Sequence, residues 1–185
     1  MTHLPTQALI FAIRAHDSIQ QRRKYTDEPY VVHPIRVATL VATVTNKPEI
    51  LSAALLHDVL EDVTPKRPHF GPEAIRATFG EEVLRLVEEL TDVFTHEAFP
   101  QLDRKERKKR EADRLSGISP DAQLVKLADM LDNGGTVVTE APDFARTYLS
   151  EKEHILSLMP RHPQNEALRK RAETLLAEAK RTLKF

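Results

Sequence analysis

The chain is 185 residues long, with 41% hydrophobic and 30% charged residues, a formal net charge of −1 and no cysteine. That length favours one domain, and the missing cysteines exclude a disulfide framework, a thiolate zinc site and a cysteine nucleophile. The near-neutral charge gives no bulk argument for nucleic-acid binding, and no apolar run reaches the ~18 residues of a membrane span. The N-terminus lacks a basic stretch ahead of its apolar residues, so no signal peptide is expected. With only five glycines, a parallel α/β sheet or a Gly-rich phosphate loop is disfavoured. The expectation is a soluble, cytoplasmic, all-α single domain spanning 1–185, without nucleic-acid or membrane partners; homo-oligomerisation stays open.

Helical spacing dominates the chain. Leu9, Ile10, Ala12, Ile13 and Ile19 share a broad face in the first segment, and the polar stretch QQRRKYTDEPY interrupts them. Pro34 suits the first turn of a helix carrying Ile35, Val37, Ala38, Leu40, Val41 and Val44. Asn46 reads as a cap for a helix with Pro48 in its first turn. That helix runs over 49–62, apolar nearly all round until HDVLED. A proline-rich loop, TPKRPHFGP, closes it. Short helices follow at 72–78 and 80–90. Residues 103–114, with seven bases and four acids, read chiefly as a solvated helix face with opposite-sign pairs. The rival reading is a basic patch for polyphosphate. Ser119-Pro120 opens the next helix, and Gly134-Gly135 is read as its stop. Helices over 141–158 and after Pro163 complete an all-α pattern with no convincing strand.

Eight histidines occur. His3, His16, His69, His96, His154 and His162 sit in polar or terminal surroundings and read as surface or otherwise satisfied groups. His57 differs, because a nearly all-apolar helix suddenly presents His57, Asp58, Glu61 and Asp62. On a helix, positions i and i+4 face the same way, so His57 is expected above Glu61 and Asp58 above Asp62. Burying four ionisable groups is costly unless a metal or strong partners offset it; solvent capping or arginine pairing is the alternative. His33, beside Pro34, and Asp129, flanked by Lys126 and Asn133, likewise interrupt apolar stripes. Two histidines and two aspartates give mixed nitrogen and oxygen donors suited to Mn²⁺, Fe²⁺ or Zn²⁺.

These residues resemble the H…HD…D pattern of the HD-domain metal-dependent phosphohydrolases. The blocks RRKY…EPYVVHPIRVA, ALLHDVLEDV, FGEEVLRLVEELT and LVKLADMLDN are similar to the RelA/SpoT hydrolase domain, nearest in length to stand-alone small alarmone hydrolases of the metazoan SpoT-homologue type. The resemblance implies that His33, His57, Asp58 and Asp129 ligate one Mn²⁺. It implies that Glu61 and Asp62 position and activate water for hydrolysis of the 3′-diphosphate of (p)ppGpp. Arg23 and Lys24 match a basic pair at the guanine and phosphate side, Asn133 an asparagine that contacts the nucleotide, and Tyr148 a pocket-lining tyrosine. Arg22, next to that pair, and Lys126, beside Asp129, join the expected substrate-binding set. The chain departs from the family's RLHNMRTL-like continuation. Asp132 stands for a histidine, and Gly134-Gly135 for a stretch holding a basic residue. The segment to Tyr148 is short, and Phe144 stands where an arginine is expected, with Arg146 as the candidate substitute. Turnover of another nucleotide, such as a phosphorylated dinucleotide cofactor, is the second reading. A non-catalytic nucleotide-binding HD module is the third.

Overall fold

The computed structural model describes residues 3–183; residues 1–2 and 184–185 of the expected 1–185 span lie outside it. The described residues form nine α-helices and no strand, with one isolated antiparallel bridge between Arg22 and Pro29. No helix among them is long and apolar enough to cross a membrane.

The centre of the fold is α3 (Pro48–Leu56), apolar on nearly every side because four helices cover it: α1 (Leu4–Ser18), α2 (Val32–Ala42), α5 (Glu81–Leu90) and α7 (Pro120–Glu140). Its Ser52, Ala53 and Ala54 are fully buried, and such small side chains let neighbouring backbones approach. α1 contributes Ala8, Ala12 and Ala15, and α2 contributes Val37 and Val41. α5 shows the alternation of an amphipathic helix, with Val83, Leu84, Leu86, Val87 and Leu90 inward and glutamates outward. α4 (Pro72–Phe79) packs on α5, while α6 (Arg104–Leu115) packs on α8 (Pro142–Leu158). α9 (Glu166–Leu183) closes the bundle against α7 and α8.

Three expectations are corrected. The helix predicted over 49–62 is not continuous: α3 stops at Leu56, and a π-helical turn (Val59–Val63) follows, in which the Thr64 N–H donates to the Val59 carbonyl at 3.0 Å. A turn of that width commonly marks a functional site. Asn46 does not cap α3; the N-cap is Lys47, without a side-chain cap bond. Gly134-Gly135 does not end α7, which runs on to Glu140 and stops at Ala141, before Pro142. Gly134 is buried against α9, where a Cβ would meet Leu175 Cδ2 at 2.9 Å. The glycine admits a neighbouring helix.

Two other N-caps behave as the residue types dictate. Ser119 Oγ accepts from the Ala122 N–H, and Asp103 accepts from the Glu106 N–H at 2.8 Å. The charge run becomes α6, a paired face with Arg110–Glu106 at 2.9 Å and Arg104–Glu151 at 3.0 Å. Its buried Glu111 accepts from the backbone N–H groups of Val93 and Phe94.

Candidate metal centre

Four elements bring one donor each to a common point. His33 stands on the first turn of α2, His57 caps α3, Asp58 opens the π-turn, and Asp129 sits midway along α7. His33 Nε2 lies 3.3 Å from Asp129 Oδ1 and 3.5 Å from Asp58 Oδ2. His57 Nε2 lies 3.3 Å from Asp58 Oδ1 and 4.0 Å from Asp129 Oδ1. His33, His57 and Asp58 form a set whose ligand atoms all lie within 4.8 Å of one another.

The surroundings fix how these donors point. His57 Nδ1 donates to the Ala54 carbonyl at 2.8 Å, which turns Nε2 toward the Asp58 and Asp129 carboxylates. That Nε2 is buried and has no hydrogen-bond partner. His33 Nδ1 donates to Asp132 Oδ2 at 2.7 Å, aiming its Nε2 at the centre. Metal-binding histidines are oriented by such outer carboxylates and carbonyls. Asp58 Oδ2 accepts from the Tyr30 hydroxyl at 2.7 Å, and Asp129 accepts from Lys126 at 3.2 Å and from Asn133 Nδ2. An inward, unpartnered imidazole nitrogen beside two carboxylates is a donor set that fits a first-row divalent cation.

Charge in the centre is tightly linked. Burial opposes a charged His33, but Asp129, Asp132 and Asp58 outweigh it and raise its pKa to about 10. Burial likewise works against an ionised Asp129, yet Lys126, His33 and His57 hold its carboxyl well below the usual range. On the π-turn the direction reverses. Desolvation, Asp92 and Asp58 raise Glu61 to about 8, although part of the residue is exposed. Desolvation and Asp58 raise Asp62 as well. Asp62 Oδ2 accepts from Gln21 Nε2 at 2.8 Å, and Glu61 Oε2 accepts from the Asp92 N–H at 3.2 Å.

Of the residues expected to bind substrate, Arg23, Lys126 and Asn133 lie against carboxylates of the centre, whereas Arg22 and Lys24 stand in the exposed loop. Arg23 is buried, donating to Asp132 Oδ2 at 2.7 Å and Thr136 Oγ1 at 3.0 Å. Its neighbours are exposed: Arg22 pairs with Asp27 at 3.5 Å, and Lys24 lies over the Tyr25 ring. Lys126 and Asn133 stay beside Asp129. Tyr148 is half-buried, with a buried hydroxyl that has no hydrogen-bond partner and Lys152 Nζ 4.9 Å from its ring centroid. Arg146, the candidate substitute for the missing arginine, donates from its guanidinium to the Leu183 carbonyl. Phe144 carries Arg104 over its ring instead.

Sequence reasoning missed Tyr30, Asp132, Gln21 and Lys152. Lys152 has its pKa lowered to about 8 by burial and by the nearby Lys126. It also left His16 among polar surroundings, whereas the structure buries it. Tyr30 stood three residues before His33, in the turn that leads into α2, the one local signal available.

Residues 8–157 match the HD domain family. The guanosine-3′,5′-bis(diphosphate) 3′-pyrophosphohydrolases of Mus musculus and Homo sapiens are each 42% identical to this chain. These matches cover 64% and 69% of this chain but 62% and 65% of those proteins, so the chain spans less than two-thirds of their length. A solved metazoan orthologue of SpoT, described as hydrolysing ppGpp and playing a role in starvation responses, superposes with a TM-score of 0.75. It is 29% identical, over 98% of this chain and 96% of that one. The match takes in most of the chain, together with His33, the His57–Asp58 doublet and Asp129, and this chain belongs to the HD-domain family.

Proposed function

We propose that this chain, acting as one domain, is a cytoplasmic Mn²⁺-dependent phosphohydrolase. Its reaction removes the 3′-diphosphate of guanosine tetra- or pentaphosphate and releases pyrophosphate. The observation that carries the metal-dependent chemistry is the buried, unpartnered Nε2 of His57 beside the carboxylates of Asp58 and Asp129. The 42% identity to named ppGpp hydrolases supports the substrate. His33, His57, Asp58 and Asp129 would hold the ion, which when bound supplies Lewis acidity toward the phosphoryl group and the attacking water.

The remaining work falls to this chain's own side chains. Glu61 and Asp62 share the tasks of orienting the water and taking its proton. A carboxyl raised to about 8, as on Glu61, is suited to that exchange, and Asp62 is raised as well. Lys126 adds buried positive charge beside the reacting phosphoryl group, and Arg22 and Lys24 meet the polyphosphate from the exposed loop. Asn133 offers a donor and an acceptor to ribose or base, and Tyr148 offers a ring face for stacking. Arg23 contributes by holding Asp132, since its guanidinium is already engaged. That engagement favours a second reading in which the same chemistry acts on another nucleotide, such as a phosphorylated dinucleotide.

The test is a nucleotide panel with Mn²⁺-loaded protein, scoring released pyrophosphate against phosphate. From ppGpp, the expected products are pyrophosphate and the intact 5′-diphosphate. Glu61→Gln and Asp62→Asn should abolish turnover while metal content persists. Loss of metal in both variants would make these residues ligands. Untouched ppGpp beside cleavage of another nucleotide would select the second reading.

A further inference from the structure

His16 is the most deeply buried histidine outside the centre, at 1% exposure on the last turn of α1. Its Nδ1 lies 2.7 Å from Gln21 Oε1, and Gln21 Nε2 lies 2.8 Å from Asp62 Oδ2. The chemistry of the three groups fixes every proton in this chain. An ionised carboxylate only accepts, so Gln21 turns its NH₂ toward Asp62 and its carbonyl toward His16. A carbonyl also only accepts, so His16 carries its proton on Nδ1. Burial holds the His16 pKa below its ordinary value, and the ring is neutral at pH 7. Its Nε2 is then a bare acceptor, and it is buried without a partner.

The backbone locks the same unit. The Gln21 N–H donates to the His16 carbonyl at 3.1 Å, and the Tyr30 N–H donates to the Gln21 carbonyl at 3.1 Å. Gln20, between them, takes a left-handed φ of 50°, which turns the chain sharply after α1. The Tyr30 ring lies 4.9 Å from the His16 ring, and its hydroxyl reaches Asp58. An apolar residue would fill the site of His16 without leaving a nitrogen unsatisfied. What the imidazole adds is a directed N–H.

We infer that His16 and Gln21 are positioning residues that hold one oxygen of the Asp62 carboxylate and so present the other to the attacking water. This rests on the role given to Asp62 above. His16, at 1% exposure, is buried away from any substrate and acts through Gln21.

The experiment compares Gln21→Leu, His16→Phe and His16→Asn in Mn²⁺-loaded ppGpp hydrolysis, with metal content measured for each. An asparagine amide can place a donor near the position of imidazole Nδ1, so His16→Asn restores the bond that His16→Phe removes. Expected is at least a tenfold fall in kcat for Gln21→Leu and His16→Phe, with KM within twofold and metal content unchanged. His16→Asn should recover most of the activity. A kcat within twofold of wild type in folded Gln21→Leu overturns the inference. So does an activity loss that tracks metal loss, or a His16→Asn variant as impaired as His16→Phe. A second readout does not depend on turnover: ¹⁵N NMR of the wild type should show His16 as a neutral Nδ1–H tautomer, and an Nε2–H tautomer overturns the relay. If the wild type leaves ppGpp intact, the alarmone reading fails alone, and the same kinetic comparison on the nucleotide that is cleaved decides the relay. An active Asp62→Asn sinks the role of Asp62 and the relay with it. An inactive Asp62→Asn beside a fully active Gln21→Leu sinks only the relay.

Discussion

Asp132→Ala is the most informative single substitution, because one oxygen of this carboxylate carries two partners. Asp132 Oδ2 accepts from Arg23 Nη1 and from His33 Nδ1, both at 2.7 Å. The Arg23 side chain is 6% exposed and that of Asp132 9% exposed. After truncation, the Arg23 guanidinium keeps the Thr136 hydroxyl at 3.0 Å, which can accept a bond but cannot neutralise charge. Removing one member of a buried ion pair costs about 3–5 kcal/mol. At about 2–4 °C per kcal/mol for a protein of this size, the metal-free variant should melt roughly 6–20 °C lower. The loss of the His33 anchor should also weaken metal binding by about 10–100-fold. Thermal unfolding by circular dichroism and a metal titration read the two effects separately. Asp132 is held below its ordinary 3.8: burial opposes ionisation, and the hydrogen bond and charge of His33 and the Arg23 guanidinium overcome it. The folded pKa is therefore the lower one, so the contribution is present above 3.8 and lost as pH falls through the folded value. The stability gap between wild type and variant should hold from pH ~5 to ~8 and close in stronger acid. Arg23→Met combined with Asp132→Ala should be less damaging than the sum of the single changes, since no unpaired charge remains. Strict additivity, or an Asp132→Ala protein that melts with the wild type and binds metal equally well, refutes the reasoning.

Gly135→Ala should stabilise the protein by about 0.5–1 kcal/mol, because Gly135 is an exposed helix-interior residue with nothing within 4 Å of a new Cβ. Gly134→Ala should gain less or lose, since its Cβ must displace Leu175 Cδ2; chemical denaturation distinguishes the two, and equal gains would contradict the packing of α7 on α9. Metal-free His33, with its pKa near 10, carries a proton at pH 7 that has to leave before Nε2 can coordinate. Metal uptake should therefore release about one proton per chain and strengthen with rising pH, which calorimetry in buffers of different ionisation enthalpy would detect. Ser119→Ala should cost about 1 kcal/mol in the same denaturation assay, through loss of the α7 cap.

The helices were legible wherever packing follows local periodicity, as in α5, whose inward and outward residues separate cleanly along the sequence. The break between α3 and the π-turn was not, because a shift from i+4 to i+5 bonding leaves no mark in composition. In the site, His33, the His57–Asp58 doublet and Asp129 stood out as polar residues inside apolar runs, and the fold brings them together. The groups that orient them gave no local sign of that role. Asp132 reaches His33 from 99 positions away and Arg23 from 109, and Gln21 reaches Asp62 across 41. Residues tied only by such distant partners look like ordinary polar residues. For the same reason Arg23 read as a cation free for substrate, when its partner was the very residue that departs from the family pattern.

The two departures in that stretch are physically connected. Asp129, Asp132, Asn133 and Thr136 fall at i, i+3, i+4 and i+7, one face of α7, and all four bond within or beside the centre. Thr136 can join them only if the helix continues past Gly134 and Gly135. Around the same turns, Leu131, Gly134 and Val138 line the groove facing α9. α7 is therefore committed on two sides, to the site on one and to a packed helix on the other. A side chain at Gly134 would push against Leu175, and any outward shift of α7 would be transmitted to the face that holds Asp129 and Asp132. The glycine that local rules assign to a helix end is what allows this helix to continue between its two neighbours, and continuity is what carries Thr136 to Arg23.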